Sequence, residues 1–183
     1  MNGRTSAVFA RLLGSTYDQL PASLRRFHAG DAVQQWSGLA SVERGSGLLA
    51  RIVANIFSLP AAGQHVNVQV HIQPSHDCEV WTRTFNKRSF SSVLRAGNEP
   101  GKCLLHERFG AFTFGIELVW NGGQLKFALR NWSFLGIRLP GILAPAGDTH
   151  ETELDGQFCF HIEITHSFTG LIVAYRGVLA PVP

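Results

Sequence analysis

No apolar run in this sequence approaches the ~20 residues of a membrane-spanning helix, so a helical span is excluded. Cysteine is scarce. Cys78, Cys103 and Cys159 are an odd number at wide spacings, which builds no disulfide framework and fits a reducing compartment. Charge is also sparse, and only Arg25-Arg26 and Lys87-Arg88 are adjacent basic pairs. The formal net charge of +3 therefore forms no clustered stripe of the kind that marks a nucleic-acid surface. Between Arg4 and Arg11 the apolar residues are too few and too broken for a secretory signal. These absences point to a cytoplasmic protein without a nucleic-acid partner. No repeat and no low-complexity segment is present.

The familiar catalytic signatures are missing too. There is no nucleophile elbow, P-loop, zincin helix or Cys-x-x-Cys pair. Gly45-Ser46-Gly47 is too short for a dinucleotide fingerprint, and His106-Glu107 lacks the second histidine of a zincin. Cys159-x-His161 would hold a metal only with distant partners, so neither metal nor cofactor is expected.

What remains is one domain over residues 1–183, long enough for a substantial core. Residues 6–13 read as a helix stopped by Gly14. In the stretch 16–28, Leu20, Leu24 and Phe27 recur at helical spacing, with Pro21 in the first turn and Arg25 and Arg26 near the C-terminus. Residues 30–37 read as a loop and 39–44 as a first strand. A third helix follows at 48–59, ended by Pro60. Leu48, Leu49, Ile52, Val53, Ile56 and Phe57 form its wide apolar stripe, opposite Arg51 and Asn55. That stripe predicts a helix packed on a sheet or plugging a barrel mouth. A membrane-surface helix would carry several cations on its polar face, and this one carries one.

From His65 onward the pattern is strands and turns. Val66, Val68, Val70 and Ile72 alternate on one face. Strands follow at 77–85 and 88–95, joined by Asn86-Lys87, and then at 102–109. Asn121-Gly122 predicts a two-residue hairpin between 111–120 and 124–132, with Leu118 facing Leu125, Ile116 facing Phe127 and Glu117 facing Lys126. The proline-rich segment 135–147 reads as a lid or an edge. Asp155-Gly156 joins 149–154 to 157–165, and the last strand covers 171–179. The fold class is α+β: a strongly curved or closed antiparallel meander, barrel-like, with two or three N-terminal helices packed on it. Such a fold leaves a cavity.

Charges on apolar strand faces mark the candidate site. Trp81, Arg83 and Phe85 share one face, and Glu107 shares another with Cys103, Leu105 and Phe109. Glu153 falls on the face of Phe158 and Phe160, Arg44 ends the first strand, and Tyr175-Arg176 ends the last. Buried charges must be paired or hydrogen-bonded. An inward Arg83–Glu107 pair would either brace the fold or orient a polar ligand head, with Glu107 and Arg83 as the catalytic candidates. Trp36, Trp81, Trp120, Trp132 and the thirteen phenylalanines would line an apolar pocket or simply fill a core.

The segments LPASLRRFH, VERGSGLLARI, SLP, EVWTRTF, LLHERFG, ELDGQFCFHIEI and GLIVAYRGVL together resemble a bacterial domain of unknown function. That domain occurs alone or appended to NAD(P)-binding domains of the saccharopine-dehydrogenase-like type. The resemblance spans Leu12 to Leu179, with Ala111 where the family usually has Pro and His161 where it usually has Asp. It implies that Arg44, Trp81, Arg83, Glu107, Arg108, Tyr175 and Arg176 belong to the family pattern, and it supplies no established catalytic residue. The expected function is binding of a small, largely apolar molecule in the cavity, extending to cofactor-free isomerisation or cyclisation. Expected contacts are Arg44, Trp81, Phe85, Arg108, Glu153, Tyr175 and Arg176. The alternative is a non-catalytic accessory domain docking onto an NAD(P)-binding redox partner.

Overall fold

Ten antiparallel strands close on themselves in the computed structural model, which describes residues 7–97 and 104–183. They are β1 (Gln34–Arg44), β2 (Gly63–Ser75), β3 (Cys78–Phe85), β4 (Arg88–Ala96), β5 (Leu104–Phe109), β6 (Phe112–Trp120), β7 (Leu125–Phe134), β9 (Thr149–Leu154), β10 (Gln157–His166) and β11 (Gly170–Pro181). A short β8 (Ile137–Arg138) hangs on the edge of β7. Sequential pairing carries the sheet from β1 to β7, β7 meets β9, and β11 closes on β1 through Trp36↔Pro181 to Arg44↔Val173. Strand outnumbers helix 57% to 18% among the described residues, so the meander expectation holds. The helices are α1 (Val8–Leu13), α2 (Ala22–Phe27) and α3 (Leu48–Ile56), with a 3-10 turn at Gly14–Gln19.

Period-two alternation decides which side chains face inward. Val66, Val68, Val70 and Ile72 are all buried, as are Trp81 and Phe85 on the neighbouring strand. The hairpins at Asn86 (φ 51°) and Asp155-Gly156 (φ 50° and 75°) use left-handed residues where expected.

Several boundaries and contacts differ from expectation. The helix read over 16–28 splits in two, because Leu20 precedes a proline and is driven extended (ψ 146°). Pro21 becomes the cap of α2 rather than a member of its first turn. β1 begins at Gln34, inside the expected loop, since Trp36 pairs with Val70 and Pro181 and is buried. The β6–β7 hairpin is shifted by two residues. Asn121 Oδ1 accepts the N–H groups of Gly123 and Gln124, which makes a four-residue turn. Trp120 then faces Leu125, Leu118 faces Phe127, and Glu117 pairs with Arg130 rather than Lys126. A shift of two preserves the inner face. The apolar stripe of α3 divides: Val53 and Phe57 pack against the core as expected, and the rest points outward. The helix buries Ala50 and Ala54, and Leu48, Leu49, Ile52 and Ile56 are exposed. Cys103, the first two positions of the 102–109 strand, Ser6, and residues 98–101 of the preceding loop lie outside the described residues.

The N-terminal helices plug the end of the barrel at which β1 begins. Each of α1 and α2 is six residues long and lacks a side-chain cap of its own. Carboxylates on the inner wall supply the missing partners. Glu79 Oε1 accepts the backbone N–H of Val8 at 3.2 Å, and its Oε2 accepts Trp81 Nε1 at 2.8 Å. Glu153 Oε2 accepts the N–H of Ser23 at 2.9 Å. His28, fully buried just after α2, donates from Nε2 to Glu151 Oε2 at 2.6 Å. Its ring stacks on Phe9 at 3.7 Å, and Phe27 stacks on Phe158 at 3.9 Å. Gly30 (φ 62°) lets the chain pass Glu79 closely, since an added Cβ would lie 2.7 Å from Oε1.

Two outcomes follow for this plug. Glu151→Ala removes the one hydrogen bond of the buried His28 ring, whose Nδ1 has no partner among the described residues, and should cost about 1–3 kcal/mol by urea unfolding. Glu153 is held below the ordinary carboxylate range, chiefly by the Ser23 N–H. Its stabilisation is full above that ordinary range and is lost as pH falls through the lowered value. Glu153→Gln should therefore flatten part of the acid limb of the stability curve.

Candidate functional site

β3, β4 and β5 place three polar side chains side by side on the inner wall. Trp81 stands opposite Ser92 and Leu94 stands opposite Glu107. Arg83 follows Trp81 by two residues, so all these positions face the lumen. Arg83 Nη1 donates to Ser92 Oγ at 2.8 Å, and Ser92 Oγ donates to Glu107 Oε1 at 2.6 Å. Arg83 Nη2 reaches the same Oε1 at 3.3 Å. Glu107 Oε2 keeps no partner among the described residues. The guanidinium lies over Trp81, 5.0 Å from the ring centroid, and 5.8 Å from that of Phe90.

Across the lumen, Tyr175 on β11 packs edge-on against Phe85 at 5.1 Å. Burial pushes its hydroxyl up to about 12; Arg83 pulls it down and Glu107 pushes it up. The cluster is not sealed. The Arg83 and Glu107 side chains keep 18% and 23% of their exposure. On the inner faces around them, Phe109, Ile116, Leu118, Phe127 and Ile162 are only partly buried.

The expected contact residues divide accordingly. Trp81, Arg83, Phe85, Glu107 and Tyr175 come together. Glu153 is on the inner face as expected, but it holds α2. Arg108 and Arg176 are exposed on the outer wall. Arg176 lines an open outer cleft with His150, Cys159 and His161, and among the described residues no group of three or more His, Cys, Asp or Glu is placed to hold a metal ion. Arg44 lies at the end of the barrel where β1 finishes, donating to the carbonyls of Leu59 (3.5 Å) and Pro60 (3.1 Å). A second open cleft there is lined by Arg44, Arg51 and Arg88. Neither cleft takes in Trp81, Arg83 or Glu107.

Sequence reasoning missed Ser92, which bridges the pair, and the buried Glu79, Glu151 and His28. Period two was a usable signal for two of them: Glu79 is two residues from Trp81, and Glu151 two from Glu153. Nothing local marks His28, whose partner is 123 residues away.

The model of the family described as Domain of unknown function (DUF4166) matches residues 20–179, and the chain belongs to that family. No curated protein matches the chain.

Tyr175 gives the site a spectroscopic handle. In the unfolded chain its hydroxyl ionises near 10 and in the folded protein near 12. Stability contributed by the neutral phenol is therefore full below 10 and declines as pH rises toward 12. In a Tyr17→Phe variant, tyrosinate absorbance should therefore show no transition near 10 until the protein unfolds; a native transition there would place Tyr175 in solvent.

Proposed function

We propose that the barrel binds a small, largely apolar molecule that carries one polar or anionic end. Arg83 and Glu107 meet that end, and the partly buried inner faces of β5, β6, β7 and β10 take the apolar body. The observation that carries this reading is the charged cluster itself. It stands on the inner wall of a barrel, stays in contact with solvent, and leaves Glu107 Oε2 without a partner among the described residues. A partly hydrated ion pair adds little to stability, so the fold alone gives little reason for charges there. The apolar residues around it, only partly buried, support contact with the apolar body of a ligand.

The same arrangement suits cofactor-free isomerisation. Glu107 Oε2 would take a proton from one carbon of a bound carbonyl compound and return it to another. Arg83 would stabilise the enolate oxygen formed between the two steps. A cyclisation would use the same acid–base pair. In the alternative reading, a domain that docks onto an NAD(P)-binding redox partner, the inner wall would hold no ligand.

An anionic, environment-sensitive naphthalene dye tests the reading. It should bind the native protein saturably and quench tryptophan emission. Arg83→Met should lose less than about 2 kcal/mol of stability and weaken dye binding at least tenfold, about 1.4 kcal/mol. Ile56→Asp, on the exposed face of α3, should leave that binding unchanged. Loss with Ile56→Asp instead would place the dye outside the barrel. Severe unfolding of Arg83→Met would make the arginine structural.

A further inference from the structure

The end of the barrel at which β1 finishes is unlike the rest of the surface. Sixteen large apolar side chains are exposed among the described residues, and ten of them lie at this end. Four are on α3, three are at the β7–β8 hairpin, two are on the 3-10 turn Gly141–Leu143, and the last is Phe168 in the β10–β11 turn. On α3, Leu48, Leu49, Ile52 and Ile56 fall within an arc of about 100°. That arc faces away from Ala50 and Ala54, which bind the helix to the barrel. Leu48 and Ile56 are 73% and 71% exposed. Four neighbouring exposed apolar side chains on one helix face mark an interaction site.

Charge selects the partner. Beside the apolar arc runs the cleft lined by Arg44, Arg51 and Arg88, with no carboxylate in its lining. None of the three arginines has an ion-pair partner among the described residues. Arg44 and Arg88 share the Oδ1 of Asn55 and the carbonyl of Leu59. Such neutral acceptors leave three positive charges uncompensated in one place. Arg44 is lowered from its ordinary value, first by burial and then by Arg88 and Arg51. Arg51 supplies the only cation on α3 itself. Arg44 and Arg88 arrive from β1 and β4 and complete the basic flank that the helix lacks. Apolar side chains pointing outward with cations at their side form the arrangement that seats a helix at the interface of an anionic bilayer, apolar face in the acyl boundary and cations among the headgroups.

We infer that this end of the barrel docks on the surface of an anionic lipid bilayer, with the outward face of α3 inserted and Arg44, Arg51 and Arg88 at lipid phosphates. The inference does not depend on the lumen's holding a ligand.

Vesicle flotation tests it. The protein should float with phosphatidylcholine vesicles containing phosphatidylglycerol and far less with phosphatidylcholine alone. High salt should weaken the association. Arg51→Gln combined with Arg88→Gln should weaken it roughly thirtyfold, at about 1 kcal/mol per cation. Leu48→Asp with Ile56→Asp, both at exposed positions, should abolish it with an unchanged urea midpoint. A Phe168→Trp variant should show a blue-shifted emission component on adding anionic vesicles. Equal binding to neutral and anionic vesicles, or none to either, would overturn the inference. So would a wild-type dimer, seen by sedimentation and lost in Leu48→Asp/Ile56→Asp, that competes with vesicles. The face would then be an interface between two copies. Inorganic phosphate that occupies the arginine cleft without vesicle binding would overturn it in favour of a soluble anion site.

Discussion

Three inner-wall carboxylates hold this molecule's upper half together. Glu79 and Glu153 act as caps for helices that have none of their own, and Glu151 pins His28 beneath them. Six-residue helices are too short to persist alone, and their cap residues, Ala7 and Pro21, have no side-chain acceptor for the first free N–H groups. The wall therefore does for the helices what a serine or aspartate in the preceding loop normally does. In return the helices bring Phe9, Leu24 and Phe27 into the barrel as its core. Neither part is complete without the other. A ten-strand barrel has more interior than its own side chains fill, and the plug occupies one end of it.

The interior is consequently divided along its axis. The plugged end is dry and aromatic, with Trp36, Trp81 and Phe158 packed against the helices. Midway, the pattern changes to Arg83, Ser92, Glu107 and Tyr175. Beyond them the inner faces of β6 and β7 are only partly covered: Phe9 of α1 meets Phe127 edge-on at 6.3 Å, and Phe57, just after α3, touches Phe109 and Phe112 at 5.4 Å. A polar cluster survives at the boundary because it is neither buried enough to demand full pairing nor exposed enough to be idle.

Much of the architecture could be read from the chain. Alternation in β2 and β3, and the Asp155-Gly156 turn, set strand identity and facing directly. They also put Arg83 and Glu107 on the wall they occupy. What could not be read depended on partners remote in sequence. Asn121-Gly122 promised a two-residue turn, and the side-chain amide of Asn121 captured two further backbone groups instead. The stripe on α3 had the period of a buried face. Periodicity reports that a helix has two unlike sides, and here the small residues Ala50 and Ala54 were the side that packs. Arg44 and Arg88 could not be seen to join Arg51, since β1, β4 and α3 meet only when the barrel is closed.

Closure has a further consequence, for the time course of folding. β1 must pair with β11 from Trp36↔Pro181 to Arg44↔Val173, contacts between segments well over a hundred residues apart. Every other seam is a local hairpin, apart from β1 against β2 and β7 against β9, and can form as soon as its two strands exist. The β1–β11 seam must instead wait for nearly the whole chain and carries the largest loop-closure entropy of the fold. During synthesis β1 would therefore remain an open edge, with Trp36 and Val42 uncovered on one flank. Such an edge is a site for mispairing with a second nascent chain. Ribosome-bound intermediates of this barrel should accordingly be the species most dependent on a chaperone, and release of the last strand the step that ends that dependence.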